Sequence, residues 1–456
     1  WLKLKSTCIE ACPERAPPRF RARAATAWPL CAVSMASVLS QAIDAEAAWA
    51  STPRLRASPD ECHGRCFGAE DQRCTWPAPR LAVGCEAAAR PGYDTMGASE
   101  YEDSPEVLTA KVRLLADYLR KARRCIVYSG AGLSTSAGIG DYASQAPQSL
   151  AGCMSGATAF RSPFCAQPTA AHRALVALHR AGRVHRWINQ NHDGLPQKAG
   201  LPQEAINEIH GAWHAPDNPV VPMSGSLRDD LFEDLLTCAR EADLVIALGT
   251  SLCGMNADRV VLDPAQRAAS GTPGQFGSVI VGLQQTVHDA ASTLRIFARC
   301  DDVFTLLAAE MQLDVMPAWP NGSFFTPPVL EGREEDDYVF EGIPYNAAGE
   351  PTTEVGDVSA LDVRDGAALV IARGMHAGAV GEVDGFDREG NIKCRFTLKP
   401  KSGKLRAPVP MLLGRWWLQA AVDGKALGLP VVNVPAETCS SDAAEHLREL
   451  MRTYAQ

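Results

Sequence analysis

The sequence predicts an α/β protein: an open parallel Rossmann-like sheet with helices on both faces, followed by a small antiparallel β barrel. Three observations carry this. Short apolar strands alternate with amphipathic helices between residues 100 and 312. One strand, Cys125–Tyr128, runs straight into a glycine loop, Ser129-Gly-Ala-Gly132. After residue 357 the pattern changes to period-two alternation punctuated by glycine.

The elements follow in order. Residues 1–95 are rich in Ala, Pro and Arg without sustained periodicity, and are expected as a disordered or targeting extension. Ser104-Pro105 opens a helix whose face is Leu108, Val112, Leu115 and Leu119. Then come a helix over 169–181, a strand over 184–189, a helix over 227–242, strands over 244–248, 279–283 and 294–298, and a helix over 302–311. The first domain is therefore placed at 96–314. Six prolines and the acidic run Glu334–Asp337 mark 315–356 as a linker. The barrel is expected over 357–425, and a tail with a short helix from Ser441 over 426–456.

Composition narrows the function. Lys plus Arg number 44 and Asp plus Glu 53, a net charge of −9, which argues against whole-chain binding to nucleic acid. No run of about 18 apolar residues occurs, so no membrane-spanning helix is expected. The 15 cysteines show no disulfide framework and read as reduced thiols of an intracellular chain, cytoplasmic or nuclear, with organellar targeting by the N-terminal extension as an alternative.

The chemistry gathers at predicted strand ends, where ligands of open parallel sheets sit. Gly130-Ala131-Gly132 would let backbone amides approach a phosphate. Gln190-Asn191-His192-Asp193 ends one strand, His210-Gly211 follows, and Gly249-Thr250-Ser251 ends another.

These runs, with Gly138-Ile-Gly-Asp141 and Pro168–Leu175, resemble the sirtuins, NAD-dependent protein lysine deacylases, over roughly residues 100–312. The resemblance implies NAD as cofactor and an acylated-lysine protein or peptide as substrate. The family cleaves the nicotinamide glycosidic bond and transfers the acyl group to ADP-ribose. It implies His210 as general base, a role suited to a group titrating near neutrality. Asn191 and Asp193 match the catalytic pair that orients ribose and nicotinamide. Gly130, Ala131, Gly132 and Ser134 match the pyrophosphate loop, and Gln190, Gly249, Thr250 and Ser251 match ribose and phosphate contacts. Asp141 matches the acidic member of the nicotinamide-pocket loop, with Tyr142 as its ring. Asp301, beside Cys300, stands where the family's last adenine contacts lie, or simply starts a helix.

The departures matter too. The family usually carries a four-cysteine zinc module after its histidine, yet no cysteine occurs from Gly211 to Thr237, so no metal is expected there. Ala143 and Gly282 replace the family's Arg and Asn, and Ser224-Gly-Ser226 replaces its peptide-pairing segment. Mono-ADP-ribosyl transfer, NAD glycohydrolysis and a catalytically degenerate NAD-binding module are therefore the alternatives. His192 is expected to face solvent or pack, with a place facing the pocket as the alternative, and His214, in the shortened loop, is expected to touch solvent. Gly374–Val383 and Asp387–Phe396 resemble a KOW or Tudor-like SH3 barrel. Lys393, Arg395, Lys399, Lys401, Lys404 and Arg406 near Trp416 and Trp417 leave open a protein or RNA partner, against a solvated hairpin beside two core tryptophans.

Overall fold

A six-stranded, all-parallel sheet organises the first part of the molecule. The computed structural model describes residues 52–65, 71–89, 96–141, 144–146, 148–151, 163–222, 225–253, 256–318, 325–398 and 408–434. In chain order the first elements are α1 Pro59–His63, β1 Arg80–Val83, β2 Glu100–Glu102, α2 Pro105–Lys121 and β3 Cys125–Ser129. Next come α3 Ala170–Arg180, β4 Arg186–Asn189, α4 Leu195–Lys198, β5 Ile206–Glu208 and α5 Asp229–Glu241. β6 Leu244–Leu248, α6 Arg259–Ala269, β7 Gly277–Val281, β8 Leu294–Ile296 and α7 Cys300–Glu310 complete the domain. The chain builds β3, β4 and β5 outward in one direction, then returns to lay β6, β7 and β8 on the other side of β3. The β3/β6 boundary is thus the switch point where the crevice of such a sheet opens.

β3 and β6 are buried at every residue, which is why they read as continuous apolar runs. One face packs Val112, Leu115 and Leu119 of α2, Leu175 of α3 and Phe304 of α7 against the sheet. The other packs Leu235 and Cys238 of α5 and Val260 and Val261 of α6 against Ile126, Tyr128 and Val245. Helix starts follow local chemistry. Ser104 Oγ accepts from Val107 N at 3.3 Å ahead of Pro105. Thr169 Oγ1 accepts from His172 N, and His172 Nδ1 accepts from Thr169 N.

The N-terminal boundary moves. Residues 52–65 and 71–89, expected within an unstructured extension, pack onto the sheet domain. β1 pairs antiparallel with β2. Lys111 Nζ donates to Cys62 O at 3.0 Å and to Asp103 Oδ1 at 2.7 Å, both side chains wholly buried. Arg73 Nη1 donates to Thr293 O at 2.6 Å. The remainder of 1–95 lies outside the described residues.

The C-terminal part is an antiparallel sheet in the order β14-β13-β12-β11-β15, formed by β11 Ala368–Ile371, β12 Val380–Phe386, β13 Ile392–Thr397, β14 Val409–Leu413 and β15 Val431–Asn433. A ribbon of β9 Val339–Ile343 and β10 Ser359–Asp362 joins it. Asn433 bonds Asp362 in both directions, donating from Nδ2 and accepting at Oδ1. Helix α8, Trp416–Val422, packs against the same core. The segment expected as a linker therefore supplies a strand, and Phe340, Ile343 and Tyr345 are buried. The module also extends past residue 425 to β15. Trp416 and Trp417 are core residues, so they offer no faces for stacking bases. Lys399, Lys401, Lys404, Arg406 and the tail helix lie outside the described residues. Among the described residues no helix is long and apolar enough to cross a membrane.

Candidate active site at the strand ends

The loops after β3 and β6 meet backbone to backbone. Gly130 N donates to Leu248 O and Gly132 N to Gly249 O, each at 2.9 Å. A Cβ on Gly132 would stand 2.8 Å from Gly249 Cα, and one on Gly249 would stand 2.5 Å from the Gly132 carbonyl carbon. Gly249 also has φ +54, a conformation that favours glycine. These glycines are thus required by the approach of the two loops.

A polar network ties the next strand end to this floor. Trp187 Nε1 donates to Ser129 Oγ at 2.7 Å, and Ser129 Oγ donates to Asn189 Oδ1 at 2.8 Å. Asn191 Nδ2 donates to Gly130 O and to Ser134 Oγ, both at 3.0 Å. Ser134 Oγ donates to Asp193 Oδ2 at 2.7 Å, and Leu195 N donates to Asp193 Oδ1 at 2.9 Å, at the start of α4. Gln190 Nε2 donates to Thr250 Oγ1 at 3.0 Å. Asp193 is buried, while Gln190, Asn191, Thr250 and Ser251 are half-buried.

His210 follows β5 and is half-buried. Its carbonyl accepts from Val221 N at 2.9 Å. His192 is fixed through Nδ1 to Gly211 O at 2.8 Å, and its carbonyl accepts from Trp213 N at 2.9 Å. Two residues before His210, Glu208 is buried; desolvation pushes its carboxyl up to about 7, against the pull of Gln197 and Gln203.

The remaining expected residues are placed as follows. Asp141 accepts from Ser144 N at 2.7 Å and Ser144 Oγ at 2.9 Å. Tyr142 and Ala143 lie outside the described residues. Asp301 sits in the first turn of α7, and its Oδ1 accepts from Ala171 N at 2.8 Å, capping α3. Ser251 O lies 3.6 Å from Cys253 Sγ. His214 is corrected from a solvent contact: it is 1% exposed, with neither ring nitrogen hydrogen-bonded, and burial pushes it down to about 3. The sequence reading missed Ser129, Asn189 and Glu208, which hold the site residues from behind. The polar Ser129 ending an otherwise apolar strand was the available signal.

The donors present suit NAD. The crevice joins two glycine loops with amide, hydroxyl, carboxylate and imidazole groups, and a Cβ at Gly138, Gly140 or Gly282 would meet nothing within 4 Å. Among the described residues no cluster of three or more His, Cys, Asp or Glu is placed to hold a metal ion.

A doubly wound sheet with this constellation at its switch point defines a Rossmann-type nucleotide-binding domain. The Sir2 family model matches residues 155–217. The NAD-dependent protein deacetylase sirtuin-7 of Homo sapiens is 29% identical over 281 residues, spanning 51% of this chain and 68% of that protein. An NAD-dependent protein deacetylase of Cutibacterium acnes is 31% identical over 189 residues, spanning 30% of this chain and 77% of that protein. The solved structure Sir2-p53 peptide-NAD+ aligns at 21% identity with a TM-score of 0.36, over 43% of this chain and 97% of that one. The chain belongs to the Sir2 family.

Proposed function

We propose that this protein is an NAD-dependent protein lysine deacylase, with His210 as general base and Asn191 and Asp193 as the catalytic amide and carboxylate. The observation that carries the reading is the network joining Ser134, Asn191 and Asp193 at the switch point, on a chain whose relatives are named NAD-dependent protein deacetylases. When bound, NAD supplies a glycosidic bond whose cleavage frees nicotinamide and leaves ADP-ribose to take the acyl group.

The chain's own groups then have defined tasks. Asn191 is held in one orientation by Gly130 O and Ser134 Oγ. Asp193 has its carboxyl group fixed between Ser134 Oγ and Leu195 N, so it would be held in one orientation toward the ribose of bound NAD. Gly130, Ala131, Gly132 and Ser134 line the pyrophosphate loop. Gln190, Gly249, Thr250 and Ser251 would border the ribose and second phosphate of bound NAD. By the family resemblance, Asp141 and Tyr142 would serve the nicotinamide side of bound NAD, and Asp301 its adenine end. His210 takes the ribose hydroxyl proton on a ring nitrogen as the acyl group transfers, and general-base help of this kind contributes about 10²–10⁴-fold.

The test uses the full chain with NAD and a pool of acyl-lysine peptides, reading nicotinamide and deacylated peptide. Peptide-dependent release, lost in His210→Ala with NAD binding retained, is the expected result. Release without peptide, or label transfer from NAD to protein without deacylation, would overturn deacylation in favour of glycohydrolase or transferase chemistry.

A further inference from the structure

The loop after His210 is closed on itself. Val221 N donates to His210 O at 2.9 Å and Ala212 N to Asn218 O at 2.8 Å. Asn218 Nδ2 donates to Glu208 O at 2.9 Å. Gly211, at φ +84, lies so close to the returning strand of the loop that a Cβ would stand 2.3 Å from Pro219 O. Movement at the loop's tip is therefore transmitted to its base at His210.

That tip is embedded in the C-terminal module. Ala212 and Ala215 belong to the module's apolar core. Gly414 N donates to His214 O at 3.0 Å, and the Trp416 ring lies 5.2 Å from the His214 ring. The wholly buried Asp217 carboxylate takes Arg373 Nε at 2.6 Å, with Arg228 Nη1 at 3.3 Å. Gly374 backs onto Asp217 so tightly that a Cβ would stand 1.9 Å from its carbonyl oxygen.

A second clamp holds the loop that carries Asn191 and Asp193. Gly194 is followed by α4, and the Trp416 ring lies where a Gly194 Cβ would approach it to 3.0 Å. At the end of α4, Lys198 Nζ pairs with Glu389 Oε2 at 2.8 Å, the two side chains 2% and 8% exposed. Lys198 also donates to Phe164 O at 2.7 Å. Both loops bearing the proposed catalytic groups are thus gripped from outside by the same module, through buried charge.

We infer that the C-terminal module is a working part of the active site: Arg373 and Glu389 are positioning residues that set His210 and the Asn191–Asp193 pair by clamping their loops. The inference rests on the deacylase reading for its kinetic consequence. A misplacement of about 1 Å in a catalytic group is enough to cost about 10²-fold in rate, so loss of either clamp acts on turnover more than on NAD affinity.

The experiment compares the full chain with Arg373→Ala, Arg373→Lys, Glu389→Gln and, as a control, Arg395→Ala, which breaks only an exposed pair with Asp384. Nicotinamide-release kcat, KM for NAD, Tm and amide hydrogen exchange over residues 189–221 are read together. R373A and E389Q are expected to lower kcat by about tenfold or more with KM within about threefold, while their folded fraction at assay temperature stays complete. R373K restores part of kcat, and R395A matches wild type. Exchange over 189–221 rises in R373A and E389Q. Unchanged kcat and exchange in both variants would overturn the clamp, as would an activity loss matched by unfolding. A wild-type chain that releases no nicotinamide sinks the deacylase reading, and the exchange measurement then decides the clamp alone.

Discussion

Ser134 Oγ donates to Asp193 Oδ2 across 2.7 Å and accepts from Asn191 Nδ2 at 3.0 Å, so one hydroxyl joins the glycine loop after β3 to both polar residues after β4. The hydroxyl sits between a donor and an acceptor, as Ser129 Oγ does one step behind it between Trp187 Nε1 and Asn189 Oδ1. Ser134→Ala removes a hydrogen bond to a charged group, worth about 1.5–3 kcal/mol, from a buried carboxylate. Expressed in the rate, that is about 10–100-fold in kcat for nicotinamide release. Fold stability should move less than the rate, because the serine's neighbours in the core are untouched. A kcat within twofold of wild type would show that the bond orders nothing the reaction uses.

Much of this site was legible before any coordinates. β3 and β6 announce themselves because central parallel strands are apolar on both faces, and the loops that follow carry their polar residues at the strand ends. α6 went unread because Pro264 breaks its interior pattern, and β5 because three residues give no period. His214 illustrates a deeper limit. It stands just ahead of Pro216, Asp217, Asn218 and Pro219, the signature of an exposed loop. Its burial comes from residues distant in sequence, Trp416 two hundred residues on and Phe164 fifty residues before it. Boundaries failed for the same reason: residues 52–65, 71–89 and 339–343 lack local periodicity and are ordered by the surfaces they pack on.

The buried histidines set the response to acid. Burial pushes His63 down to about 3, His172 to about 4 and His214 to about 3. Each is neutral in the fold and takes a proton more readily once unfolded. Their stabilising effect is therefore complete above about pH 6.5 and is lost as pH falls from there toward the folded values. Each histidine costs up to about 1.4 kcal/mol per pH unit in that window. His214→Leu should make the fall in unfolding free energy between pH 7.5 and 5.0 smaller by on the order of 2 kcal/mol. Urea titrations at the two pH values measure it, and equal falls in variant and wild type would place the acid sensitivity elsewhere.

The pair that anchors the N-terminal segment makes the sharpest stability prediction. Lys111 and Asp103 are both fully buried, and Lys111 also reaches back to Cys62 O, so one ammonium fastens α1 to α2. Asp103 Oδ2 further accepts from Phe297 N at 2.8 Å, which extends the tie to the end of β8. Burial pushes Lys111 down to about 8 and raises the Asp103 carboxyl, so each charge depends on the other to remain ionised. Lys111→Met leaves a buried carboxylate without its counter-charge and should cost about 3–5 kcal/mol. The double variant Lys111→Met/Asp103→Asn removes both charges and should recover part of that loss, because the amide still serves Phe297 N. A chain trimmed to begin at residue 96 strips Cys62 O from the ammonium and uncovers Phe297, which packs with Leu55 and Cys62. It should be less stable than a chain beginning at residue 52. Denaturant midpoints of the two chains decide this: equal midpoints would mean that the contacts made by residues 52–65 and 71–89 add nothing to the fold, however well they are packed.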